Sequence, residues 1–312
     1  PDLLHVHWAF PEALALLRDA RPDWPPVLIS FHTFEPVCPT KLHVTRRGRT
    51  CRSSTGFGCV REGCRSPRKW LMHDLPGARL RRYASRAAGF LAHNRELAER
   101  TEGLGLYPVH YFPLGVERPT AAPEPYPRRP ILLYSGRLRR EKGIAVLAEA
   151  LPRILKRHPT AEIRVAGAGP LEPLLRAAGP PERVRLLGIL DAEALAREYA
   201  RARASVVPSL WKENFALTGP EAMAGGTPVI GSDLGGIREW LRDGVNGLSF
   251  SPGDADGLAA AALRLLTDDP LAETLGQGAR ATAAALTLED HAEALFSVYR
   301  DALAEHERGG TP

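Results

Sequence analysis

The sequence predicts an α/β protein of two units, each built on a parallel sheet. Short apolar runs alternate with helical stretches along most of the 312 residues. A proline-rich stretch, ERPTAAPEPYPRRP at 117–130, splits that alternation into two halves. Three helical stretches then close the chain, and the length suits two domains of ordinary size. We divide the sequence into a first domain at 1–117 with a Cys/Arg-rich insertion at 38–68, a linker at 118–130, a second domain at 131–287 and a terminal helical segment at 288–312.

In the first half, LLHVHW at 3–8 reads as a strand and PEALALLRDA at 11–20 as a helix. VLISFH at 27–32 is a short apolar strand, after which the Cys/Arg segment interrupts the pattern. Helical patterning resumes over 69–88. GFLAH at 89–93 is strand-like, with Asn94 placed to cap the helix RELAERTEGLG, and VHYFP at 109–113 is a further strand.

The second half alternates more cleanly. Strands are expected at 131–136, 161–167, 184–188, 204–209, 227–232 and 248–250. Helices are expected at 144–157, 171–178, 192–202, from about Pro220, and at 237–242, 254–267, 270–285 and 288–306. Thr218 or Gly219 is the expected N-cap of the helix near Pro220. Strands and helices at this spacing imply right-handed crossovers, with ligands at the carboxyl ends of the strands.

The net charge of +5 is modest but uneven: residues 41–86 hold thirteen Lys or Arg against Glu62 and Asp74. That patch suits an anionic partner such as a membrane surface, the alternative being a solvated basic face. Without aromatic interleaving or a reader motif it gives no reason to expect nucleic acid. Cys38, Cys51, Cys59 and Cys64 fall at C-x12-C-x7-C-x4-C, with no C-x2-C knuckle. A structural metal such as zinc, reduced thiols and disulfides all fit that pattern. No apolar run approaches the 18 or so residues that span a membrane, and no leader is evident. The expected location is cytoplasmic, peripheral at the inner face of the membrane through 41–86.

Three stretches carry chemistry. GRLRREKG at 136–143 puts Gly136, Arg137 and Lys142 in a strand-to-helix turn, which suits a diphosphate or is simply a basic loop. GAGPL at 167–171 holds Gly167 and Gly169, for close approach to a ligand or for a plain turn. KENFALTGPEAMAGGTPVI at 212–230 sets Glu213 and Glu221 around a helix start. Each carboxylate can accept two hydrogen bonds from a vicinal diol, and the backbone N–H groups at 215–218 favour an anion. Surface charge and helix-dipole stabilisation are the plainer alternatives.

In this order and spacing, these stretches followed by VIGSDLGGIREWLRDGVNGLSF resemble the retaining family-4 glycosyltransferases of the GT-B fold. ISFHTFEP, FLAHN and FPLGVE extend the resemblance less sharply into the first half. It implies two Rossmann-like domains with sheets facing a cleft and a C-terminal helix crossing back to the first domain. It implies that Arg137 and Lys142 hold the donor diphosphate, Glu221 the ribose, and Glu213 with the backbone of Phe215, Ala216 and Leu217 the sugar. It places Leu187 near the base and His32 facing the transferred sugar. The donor would be a nucleotide-diphosphate sugar of the UDP or GDP type and the acceptor a glycan or lipid-linked precursor. No catalytic metal is expected, because Arg137 and Lys142 would stabilise the leaving group.

Ala216 stands where the family commonly has glycine, and Asn214 where it often has proline. The chain opens on an interior strand, so the family's first strand and glycine-rich loop are expected to precede Pro1. The alternatives are an inactive nucleotide-binding partner subunit and a GT-B sugar-nucleotide epimerase.

Overall fold

The computed structural model describes residues 1–7, 10–21, 23–38, 41, 43, 45, 51, 57–68, 76–119, 122–126 and 128–309. Its apolar runs form two wholly parallel sheets in two units. The first unit comprises Pro1–Leu114, Lys212–Phe215 and Glu289–Pro312; the second comprises Gly115–Trp211 and Ala216–Leu288.

In the first unit β1 (Leu4–His7), β2 (Val27–Phe31), β3 (Gly89–Ala92) and β4 (Val109–Tyr111) lie side by side in chain order. Alternate side chains leave opposite faces of the sheet. Val27, Ile29 and Phe31 of β2 join Phe90 and Ala92 of β3 in one core, with Leu17 of α1 (Phe10–Asp19) and Leu97 of α4 (Arg95–Glu102). Leu28 and Leu91 point the other way, onto Val298 and Ala302 of the last helix, α11 (Leu288–Glu307). Burying each leucine contributes about 1.5–3 kcal/mol. Both faces are covered, which is why these strands are continuously apolar. Asn94 caps α4 as expected, its side chain accepting from the Leu97 amide at 2.8 Å.

Lys212–Phe215 belongs to this unit although it follows the central strands of the other. The Lys212 ammonium pairs with Glu96. The Asn94 amide donates to the carbonyl and the side-chain oxygen of Asn214, both at 2.8 Å. The Asn214 amide donates to the Phe31 carbonyl at 3.3 Å.

α2 (Phe57–Arg61) and α3 (Pro76–Arg81) lie within the basic segment. Residues 69–75 of the helical stretch expected at 69–88, and much of 38–68 and 41–86, lie outside the described residues. Cys38, Cys51 and Cys59 are buried and Cys64 half-buried. Among the described residues no three His, Cys, Asp or Glu side chains group as metal ligands, so the expected zinc site finds no support. Among the described residues no helix is long and apolar enough to cross a membrane.

The second unit holds β5 (Ile131–Ser135), α5 (Ile144–Arg157), β6 (Glu162–Ala166), α6 (Glu172–Ala177), β7 (Val184–Gly188), α7 (Ala192–Arg201), β8 (Ala204–Val207), α8 (Thr218–Ala224), β9 (Val229–Ser232), β10 (Gly247–Phe250), α9 (Ala255–Thr267) and α10 (Asp269–Ala284). Its strand order is β10-β9-β8-β5-β6-β7. β5 therefore lies against β8, with Leu132 opposite Ala204 and Leu133 opposite Ser205. α5 buries Ile144, Leu147, Leu151 and Ile154, one stripe of a 3.6-residue helix, against the core that Leu258, Ala262 and Leu265 of α9 also enter.

Two expectations need correction. The helix at 237–242 is a short 3₁₀ turn over Gly235–Glu239, where two glycines disfavour a longer helix. Thr218 and Gly219 lie inside α8, whose N-cap is Leu217 with no side-chain cap. The Trp240 indole packs against Gly219 so closely that an added Cβ would sit 2.1 Å from the ring. Gly219→Ala is therefore expected to lower stability by at least about 1–3 kcal/mol, read as a shifted urea midpoint; an unchanged midpoint would refute this packing.

Candidate functional site

At the carboxyl ends of β5, β6 and β7 the connecting loops bond backbone to backbone. The Gly136 amide donates to the Ala166 carbonyl at 2.9 Å and the Leu138 amide to the Ala168 carbonyl at 3.0 Å. The Gly167 amide donates to the Gly188 carbonyl at 2.6 Å, next to Leu187. Gly167 has φ 146°, and a Cβ there would lie 1.9 Å from the Gly136 carbonyl oxygen. The empty side of Gly169 likewise faces the Leu138 carbonyl oxygen, 2.5 Å from where a Cβ would be. Gly136, Gly167, Gly169 and Leu187 are thus neighbours along one sheet end.

Arg137 is exposed, and its carbonyl accepts from the Tyr134 hydroxyl at 2.9 Å. Lys142 closes a 3₁₀ turn, Arg140–Lys142, immediately before α5, with its ammonium 5.1 Å from the centre of a Trp211 ring. Both cations follow β5 at the start of a helix, a setting that favours an anion.

β8 leads into the other side of the site. Ala216 takes a left-handed conformation, φ 57°, which costs a residue with a Cβ but not glycine. This gives a backbone reason for glycine at that position. Leu217 is partly exposed, and Glu221 lies in the first turn of α8. Burial raises the Glu221 carboxyl above its ordinary range, a hydrogen bond from Tyr199 opposes this, and Glu117 adds to the rise. Sequence reasoning missed Tyr199. Its signal was one large aromatic in the otherwise small and charged helix AEALAREYAR.

The first unit carries the remaining expected residues. His32 follows β2, its Nε2 2.9 Å from Nδ1 of His7, and the two rings stack. The His93 ring stacks on His32 from the other side, and His93 Nδ1 lies 3.2 Å from the Phe112 carbonyl oxygen. His5 lies 2.7 Å from the Ser30 hydroxyl and 2.6 Å from that of Tyr299. Burial lowers His5 and His93 to about 4, and it lowers His32 as well. The alternation in LHVHW, which sets His5 and His7 on one strand face, was the available signal for this group. Glu213 and Phe215 are buried in this unit, Glu213 being only 4% exposed. The two glutamates of KENFALTGPE therefore belong to different units, and nothing within either unit brings them together.

Residues 129–268 match a protein family described as "Glycosyl transferases group 1". The chain contains a group 1 glycosyltransferase domain. Over 291 residues it is 31% identical to a glycogen synthase of Mycobacterium tuberculosis, covering 90% of this chain and 64% of that protein. Over 201 residues it is 38% identical to a phosphatidyl-myo-inositol mannosyltransferase of Mycolicibacterium smegmatis, covering 62% of this chain and 52% of that one. The chain thus spans less than two thirds of either relative's length. A structure of HepE from Anabaena in complex with UDP superposes with a TM-score of 0.72 at 18% identity, covering 95% of this chain and 79% of that one. That likeness shows the fold alone, and the fold class is that of the GT-B glycosyltransferases. The transferase domain includes β5 to α9, with Gly136, Arg137, Lys142, Gly167, Gly169 and Glu221.

Two outcomes follow. Ala216→Gly should raise stability by up to about 1 kcal/mol, less the extra freedom glycine gives the unfolded chain; a lower urea midpoint would count against the left-handed turn. The histidines set a pH response. Above pH 6.5 they are neutral in both folded and unfolded chains and leave stability unchanged. As pH falls from 6.5 to about 4, the unfolded chain takes up protons that half-buried His5 and buried His43 and His93 refuse, so stability falls. Melting temperatures between pH 7.5 and 4.5 should drop accordingly, and less steeply for His93→Gln; equal slopes would exclude His93 from the response.

Proposed function

We propose that the chain is a retaining family-4 glycosyltransferase. It moves a hexosyl group from a UDP- or GDP-type sugar to a glycan or lipid-linked acceptor and uses no catalytic metal. One observation carries the reading. In a group 1 glycosyltransferase domain, the cations Arg137 and Lys142 follow β5 and the carboxylate Glu221 follows β8, and these two strands are neighbours in the sheet. Strand order reverses there, the usual place for a ligand in an open α/β sheet. The UDP bound by HepE and the mannosyl transfer named for the mycobacterial relative support the donor class.

Arg137 and Lys142 hold the diphosphate, Glu221 accepts from the ribose hydroxyls, and Leu187 lies beside the base. Gly136, Gly167 and Gly169 shape the backbone under the donor. Glu213 and the backbone of Phe215, Ala216 and Leu217 are assigned to the sugar, and His32 to the group transferred. The bond between the anomeric carbon and the phosphate oxygen breaks, and the acceptor oxygen bonds that carbon on the same face. The acceptor proton passes to the leaving phosphate, whose charge the two cations stabilise. Two carboxylates spaced Asp-x-Asp could hold a metal; in this chain that spacing occurs at Asp254, which caps α9 at Gly257, and Asp256, which pairs with Arg153 at 2.8 Å. The basic 41–86 segment suits docking at the inner face of a membrane.

Thermal-shift screening with UDP, GDP and their sugars tests the reading, and one nucleotide class should stabilise the protein. Glu221→Ala should weaken that binding by about tenfold or more while the melting temperature without ligand stays close to the parent's. No stabilisation by any nucleotide would overturn the donor site. Loss of turnover on chelation, or an inverted anomeric product, would overturn the mechanism.

A further inference from the structure

Glu221 is backed by a short line of hydroxyl groups. The Tyr199 hydroxyl, on the helix entering β8, lies 3.4 Å from Glu221 Oε2. The Ser135 hydroxyl, at the end of β5, lies 2.6 Å from the Tyr199 oxygen. Tyr199 is 3% exposed and Ser135 is 8% exposed, so neither hydroxyl has water as an easy alternative. An ionised carboxylate can only accept. Tyr199 therefore gives its single proton to Glu221, and Ser135 must then donate to Tyr199. An ionised Glu221 fixes that polarity, whereas a protonated carboxyl could reverse it.

A phenylalanine would fill the space of the Tyr199 ring equally well. What the core gains from tyrosine here is a donor aimed at a half-buried carboxylate. We propose that Tyr199, supported by Ser135, is a positioning residue that fixes the orientation and ionised form in which Glu221 receives the ribose hydroxyls of the donor. The proposal rests on the ribose role given to Glu221 above. It adds that ribose recognition depends on two residues that do not touch the nucleotide. One oxygen of Glu221 is held from behind by Tyr199, which leaves the other lone pairs for the sugar. Burial opposes ionisation at this site and the Tyr199 hydrogen bond favours it, in keeping with that role.

The test compares affinities by calorimetry for UDP and GDP, their 2′,3′-dideoxy counterparts and inorganic pyrophosphate. The parent protein should prefer the ribonucleotide to its dideoxy form by about tenfold or more. Tyr199→Phe should bring that preference close to one and leave pyrophosphate affinity unchanged, since a general loss of structure would weaken all three ligands alike. A Tyr199→Phe protein that keeps the full preference overturns the proposal and leaves the Glu221 reading intact. A parent protein that binds ribo and dideoxy forms equally, or binds neither, overturns the Glu221 reading and the proposal with it. If Tyr199→Phe does not fold, Ser135→Ala decides by the same ratio, a lowered preference supporting the proposal and an undiminished one overturning it.

Discussion

β5 and β8 pair through a short register, Leu132 with Ala204 and Leu133 with Ser205, and the rest of the site depends on that contact. From β5 the chain winds outward through β6 and β7; from β8 it winds the opposite way through β9 and β10. Crossovers of one hand leave the helices parted where the two directions meet. The same pairing assembles the surroundings of Glu221. Ser135 ends β5, Tyr199 lies on the helix entering β8 and Glu221 on the helix leaving it. Ser135 and Tyr199 are 64 positions apart in the chain, so only the sheet order can make them neighbours.

The parts of this site are not equally fixed. The loops after β5, β6 and β7 are bonded through their main chains, and side chains cannot be inserted where Gly167 faces Gly136. A donor would meet a backbone surface whose ordering cost has been met during folding. Arg137, by contrast, is exposed, so an anion bound there would have to order its side chain. Affinity for a donor would then draw on charge and specificity on the rigid loops, a division that suits a diphosphate common to many donors.

The second sheet was legible because its strands are buried runs punctuated by glycine or proline, and α5 was delimited to the residue by its apolar stripe. What escaped the sequence depends on contacts between distant elements. α8 starts after Leu217 with no side-chain cap, and Gly219 inside it packs under Trp240, which no local capping rule encodes. The turn at Gly235–Glu239 has helical composition only after its two glycines, which keep it short. Tyr199 and the stacked histidines become visible only once strand ends are brought together. The candidate residues that were legible, Arg137, Lys142 and Glu221, lie in loops and at a helix start, where chemistry is written locally in the chain. Glu213 looked like their neighbour, yet eight positions of sequence include a passage from one unit to the other.

That passage bears on inheritance. The chain changes unit four times, at 114/115, 211/212, 215/216 and 288/289. Four residues in the middle of the transferase domain are thus held by Asn94, Glu96 and Phe31, from a part of the sequence far upstream. A recombination joining this second half to a first half from a relative would carry Asn214 and Lys212 into foreign surroundings. Unless the newcomer supplied an amide and a carboxylate in the right places, the segment bearing Glu213 would lose its anchor. The two halves can therefore be exchanged in evolution or by design only if Asn94 travels with Asn214 and Glu96 with Lys212.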